Sequence, residues 1–179
     1  QVDRGLLSNA RCLSEGVDVP ALDGVAFIDP KGSQIDIVQA VGRAIRLSQE
    51  KKVGTIFLPV FLQEGDDAEL SIQSSNFKPV WSVLNALKSH DDVLSAELDQ
   101  LRTNLGRKQF QGKIKSIPKV IIDFPQSVDE SFAESLRTIL VEKTTASWNF
   151  WFGMLKQYNE NNKGLFPLVA NVTEDGYKL

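Results

Sequence analysis

Three residues of one expected helix, Gln39, Arg43 and Arg46, have the types and the spacing for phosphate chemistry. With Gln39 at zero on a helical wheel of about 100° per residue, Arg43 falls at about +40° and Arg46 at about −20°. An amide and two guanidinium groups therefore share a narrow stripe, while Ile37, Val38, Ala40, Val41, Ala44 and Ile45 fill the opposite arc. Gly42, at about −60°, removes a side chain beside the stripe, so a phosphate or a facing domain can come close; it sacrifices roughly 1 kcal/mol of helix propensity relative to alanine. Asp36 shares this side but lies about two turns from Arg43, and Glu50 falls beyond the helix. Two arginines held parallel on a rigid helix suit bidentate capture of phosphate oxygens. The competing reading is a solvated basic face.

The elements that must position this stripe alternate between β-type and helical patterns. The helix expected over 33–47 opens with Ser33 as N-cap and Asp36 three residues on, like a capping box. It stands between a buried strand at Gly24-Val25-Ala26-Phe27-Ile28 and another over 53–62, and Gly5-Leu6-Leu7-Ser8 reads as an earlier strand. Pro59 predicts that the strand over 53–62 bends or lies at an edge. This order predicts an α/β fold with helices packed on a parallel sheet.

Beyond the acidic stretch at 64–69 the pattern becomes mostly helical. A long helix is expected from Asn76 and Pro79 onward, with Leu84, Leu87, Leu94, Leu98, Leu101 and Leu105 on its apolar face. Between Gln100 and Asp123 every charged residue is basic: Arg102, Arg107, Lys108, Lys113, Lys115 and Lys119. That run reads as a solvated linker or as a groove tracking a nucleic-acid backbone. A short strand at Val120-Ile121-Ile122, a helix over 128–141 and a last helix from about Ser147 follow. Trp148, Trp151, Phe152, Leu155 and Tyr158 recur at helical spacing in that last helix, as a core face or as a base-stacking surface.

Composition narrows the function classes. With 42% apolar and 24% charged residues in 179, the chain reads as an ordinary globular protein rather than a disordered one. No run of about 18 apolar residues is present and the first residues lack the pattern of a signal sequence, so a cytoplasmic protein without membrane partners is expected. The single cysteine, Cys12, reads as a small buried residue, and with one histidine, His90, no metal site is expected. A net charge of −3 excludes binding of nucleic acid over the whole surface.

Gln39-Ala-Val-Gly-Arg43-Ala-Ile-Arg46 resembles the QxxGRxxR motif VI of superfamily 2 helicases, and Ser14-Glu15-Gly16-Val17-Asp18-Val19-Pro20 resembles their motif V, in the same order and with a strand between. The resemblance implies the second RecA-like domain of a DEAD/DEAH-type motor, incomplete in this chain. Arg46 is then the arginine finger, and Arg43 and Gln39 hold the γ-phosphate and sense its loss. Gly16 permits the motif V turn, and Asp18 arranges the ribose or the motif VI arginines, or else caps local amides. Relatives often place a threonine or serine before the motif V glycine to touch nucleic acid. Here Ala10, Arg11 and Cys12 occupy that region, which leaves Ser8, Arg11 and Ser14 as the candidate contacts.

No Gly-x-x-x-x-Gly-Lys-Ser/Thr phosphate loop and no Asp-Glu-x-His/Asp metal motif occurs in the sequence. The expectation is a piece of a longer protein, inactive by itself, whose N-terminal motor domain binds most of the ATP and Mg²⁺. Trp148 to Gly164 with Leu165-Phe166-Pro167 resembles the start of a helicase-associated helical domain. The expected organisation is a partial RecA-like domain over 1–65, a helical connector region over 66–146 and the start of that helical module over 147–179. A bacterial restriction- or defence-type helicase combines these parts, with DNA expected in preference to RNA and a nuclease or methylase as partner. The alternative is a non-catalytic nucleic-acid-binding or partner-docking module of such a complex.

Overall fold

The structure, a computed structural model, describes residues 5–6, 22–28, 34–46, 53–60, 72, 77–108, 113–124, 128–168, 171–173 and 176–179. The chain divides into two compact units, Gln1–Val60 and Phe61–Leu179.

In the first unit, β1 (Gly24–Ala26), α1 (Gln34–Ala44) and β2 (Thr55–Phe57) form a βαβ arrangement. Two strands can run parallel only if a long crossover returns the chain to the same edge, and α1 supplies it. The register pairs Gly24 with Thr55, Val25 with Ile56 and Ala26 with Phe57. Thr55 N donates to Asp23 O at 2.9 Å and Phe27 N to Phe57 O at 3.0 Å, which extends the ladder at both ends. Ile37, Val41 and Ala44, spaced by four and three residues, are buried on the side of α1 that meets both strands. Both strands are shorter than their apolar runs: Ile28 and Val53 stand exposed, and Pro59, with no N–H to give a ladder, follows β2. Gly5 and Leu6 of the expected first strand are not in a strand, and Leu6 is almost fully exposed.

The second unit holds α2 (Lys78–His90), α3 (Asp92–Gly106), α4 (Glu130–Thr144) and α5 (Ser147–Asn161). The single long helix expected from 76 onward is broken at Asp91. Its backbone is extended, with φ −142 and ψ 100, and its side chain accepts the Leu94 N–H at 3.0 Å. A short carboxylate that satisfies an orphan amide favours starting a new helix over continuing the old one. Leu84, Leu94, Leu98 and Leu105 enter the core with Phe77, Ile114, Ile117, Leu136, Leu140 and Val141.

The expected strand at 120–122 is instead the exit of a turn. Ile117 and Val120 form an isolated antiparallel bridge around Pro118 and Lys119, whose φ is 60, the type II pattern of proline followed by a positive φ. Ile121 is exposed. α4 begins where Asp129 accepts the Phe132 N–H at 2.7 Å, and it runs past the expected end at 141. After α5, Val172 and Lys178 pair across a turn at Gly176, and Asn171 Nδ2 ties this segment to the Tyr158 hydroxyl at 2.8 Å.

Candidate functional site

The sheet-facing residues of α1 fix its rotation and so aim the rest of the helix. Gln39, Gly42 and Arg43 are half-buried on the remaining arc and Arg46 is exposed. The α-helix ends at Ala44 rather than at 47. Ile45 N still bonds Val41 O at 3.0 Å, but Arg46 N bonds Arg43 O at 3.3 Å, so the last turn tightens. In such a three-residue turn positions i and i+3 eclipse, which keeps Arg43 and Arg46 on one side. Gln39 Oε1 is buried with no hydrogen-bond partner among the described residues.

Sequence reasoning missed Gly54. A Cβ there would stand 2.5 Å from Ala44 O and 3.2 Å from Ile45 Cα, so the start of β2 presses directly on the end of α1. The two arginines leave a helix terminus held by that contact. A lone glycine entering a β-type run is the signal that could have revealed it, since such glycines mark close backbone approach. Ser8, Arg11, Ser14, Gly16 and Asp18, and with them Cys12, lie outside the described residues.

In the second unit four cations of the basic run form ion pairs with acids distant in sequence. Arg102 pairs with Glu142 and lies over the Phe150 ring at 4.8 Å. Arg107 meets Glu160 at 2.6 Å, Lys113 meets Glu134 at 3.9 Å and Lys119 meets Asp91 at 2.7 Å. These cations join α2, α3, the loop that follows and the later helices to one another. The Lys119 ammonium, then the Leu94 N–H, hold the Asp91 carboxyl below the ordinary aspartate value of 3.8.

The first part of the α5 stripe is not core: Trp148 is 67% exposed, Phe152 45% and Trp151 39%, while Leu155 and Tyr158 are half-buried and Gly153 and Met154 are the buried positions. Among the described residues no helix is long and apolar enough to cross a membrane, and no group of three or more metal-ligating side chains occurs.

No family model matches the sequence. The probable helicase A859L of African swine fever virus (isolate Pig/Kenya/KEN-50/1950) is 42% identical over 133 residues, covering 64% of this chain and 15% of the relative. The probable helicase A859L of the isolate Tick/Malawi/Lil 20-1/1983 is 42% identical over 55 residues, 31% of this chain and 6% of the relative. Among solved structures, the ATP-dependent Type ISP restriction-modification enzyme LlaBIII bound to DNA superposes with a TM-score of 0.53 at 30% identity, over 86% of this chain and 10% of that one. The chain thus spans only 15% or less of each relative's length. Identity to a probable helicase and a fold shared over most of the chain together support a helicase-type C-terminal region.

Proposed function

We propose that the chain is the part of an ATP-dependent nucleic-acid helicase or translocase that supplies the arginine finger and nucleic-acid contacts, and that does not hydrolyse ATP by itself. The observation that carries this reading is the rotation of α1: Ile37, Val41 and Ala44 are buried on the sheet side, and Gln39, Gly42, Arg43 and Arg46 occupy the rest. A preceding motor domain holds ATP with Mg²⁺. Arg46 reaches its γ-phosphoryl group and stabilises the charge that spreads over the equatorial oxygens during transfer, an effect worth about 10³ to 10⁵ in rate. Arg43 and the Gln39 amide hold the same group and lose their ligand when phosphate leaves, which lets the two motor domains part and turns hydrolysis into movement. Gly42 keeps the approach clear. Gly16 and Asp18 arrange the nucleotide side of the cleft, and Ser8, Arg11 and Ser14 touch the nucleic-acid backbone.

DNA as the track, a nuclease or methylase as partner and a cytoplasmic location are the reading favoured by likeness to a restriction-modification enzyme bound to DNA. The test is Arg46→Ala in the intact protein. Nucleic-acid-stimulated ATPase should fall by about 10³-fold or more with ATP binding retained. An unchanged rate would overturn the motor reading in favour of a docking module.

A further inference from the structure

We propose that the outer face of α5 binds single-stranded nucleic acid, with bases stacking on Trp148 and Phe152 and Lys156 meeting the phosphate backbone. This surface belongs to the second unit and is independent of the arginine stripe on α1.

The two rings stand one helical turn apart, with centroids 6.4 Å apart and planes 25° from parallel. Both are well exposed, so each offers π-surface to solvent. With Trp148 at zero, Leu155 lies at about −20°, Phe152 at about +40° and Lys156 at about +80° on the helical wheel. Gly153 and Met154 are buried and Leu155 is half-buried, so helix packing uses another side of α5 and leaves Trp148 and Phe152 largely exposed. Trp151, beside the stripe, is held edge-on by Tyr177 at 5.6 Å and 83°, and Tyr177 also meets Phe150 at 5.8 Å.

Charge selects the occupant. α5 carries only two charged side chains, Lys156 and Glu160. Glu160 is neutralised by Arg107 at 2.6 Å, which leaves the exposed Lys156 as the net charge of the helix. Parallel aromatic rings next to a solvated cation match a strand of stacked bases on a phosphate chain. A duplex keeps its base faces covered by its own neighbours, so the match is to a single strand.

The 179-residue chain, without ATP, is titrated with an oligothymidylate of about 15 nucleotides and with the corresponding duplex, following tryptophan fluorescence. The single strand should quench the signal and bind more tightly than the duplex. Trp148→Ala and Phe152→Ala should each weaken binding by about tenfold or more with circular dichroism unchanged. Lys156→Glu should weaken it as well and lower the slope of log affinity against log salt by about 0.7. Trp81→Phe, which alters the tryptophan stacked on Phe77 in α2, should leave the quenching in place. Absence of binding, equal affinity for duplex, or quenching that survives Trp148→Ala would each overturn the proposal. Self-association of the chain that Trp148→Ala abolishes would overturn it in favour of a protein partner. None of these results bears on Arg46, whose role is read from ATPase activity.

Discussion

Gly106 of α3 and Gly153 of α5 meet where the two helices cross: a Cβ built on Gly153 would lie 3.2 Å from the Gly106 Cα and 2.0 Å from Thr103 O. One built on Gly106 would stand 2.0 Å from Phe150 O. The neighbours are backbone atoms, with no rotamer that could move aside. On propensity alone, alanine at a helical glycine gains roughly 1 kcal/mol. Here overpacking should reverse the sign, so that Gly106→Ala or Gly153→Ala destabilises the chain by about 1 to 3 kcal/mol or more. Urea midpoints measure it, and a midpoint that rises for either variant would contradict the close crossing.

Asp91 links the α2–α3 junction to the turn at Pro118. One carboxylate oxygen accepts the Leu94 N–H and the other the Lys119 ammonium at 2.7 Å, and both contacts lower its pKa. A carboxyl with a depressed folded pKa stabilises the fold above the ordinary aspartate value of 3.8 and loses that contribution as pH falls through the lower folded value. Asp91→Asn keeps a cap acceptor but removes the ion pair. It should lower the urea midpoint at neutral pH, and its deficit relative to the parent chain should shrink below about pH 4. An equal deficit at both ends of the pH range would show that the charge does not matter there.

Periodicity made α1 legible, because Ile37, Val41 and Ala44 on one arc and Gln39 and Arg43 on another can be read without knowing the partner. The break at Asp91 was not legible: Leu87 and Leu94 are seven residues apart, a spacing that fits one helix as well as two. The basic run looked unpaired because its acids, Glu134, Glu142 and Glu160, lie on later helices and only tertiary packing brings them near. For α5 the pattern identified residues that share a side but not whether that side is covered, and two small or flexible residues, Gly153 and Met154, took the core instead. Gly54 escaped because a glycine's meaning depends on the atoms it lets approach.

Arg107 and Glu160 connect the end of α3 to α5 near the same crossing, at 2.6 Å. The arginine side chain is 19% exposed and the glutamate 44%, so solvent screens the pair only in part. Arg107→Ala and Glu160→Ala should each reduce stability, and the double variant should lose less than the sum of the two. The coupling energy from the cycle should be on the order of 1 kcal/mol, measured by urea unfolding. Strict additivity would mean that the contact is incidental.

Gly54 sits 2.5 Å, by its missing Cβ, from the carbonyl of Ala44, two residues before Arg46. Gly54→Ala must push the end of α1 away from β2 or displace the start of the strand. Misplacement of a catalytic group by about 1 Å can cost about 10²-fold in rate. If Arg46 acts as proposed, stimulated ATPase of the intact protein should fall by about 10- to 100-fold, alongside a stability loss of about 1 to 3 kcal/mol. Gly24→Ala is the comparison, because its Cβ would meet Thr55 O at the milder distance of 3.3 Å, within the strand ladder rather than at the helix end. It should destabilise less and keep most of the activity. Equal loss of activity in both variants would mean that damage to the sheet, not displacement of the arginines, is responsible.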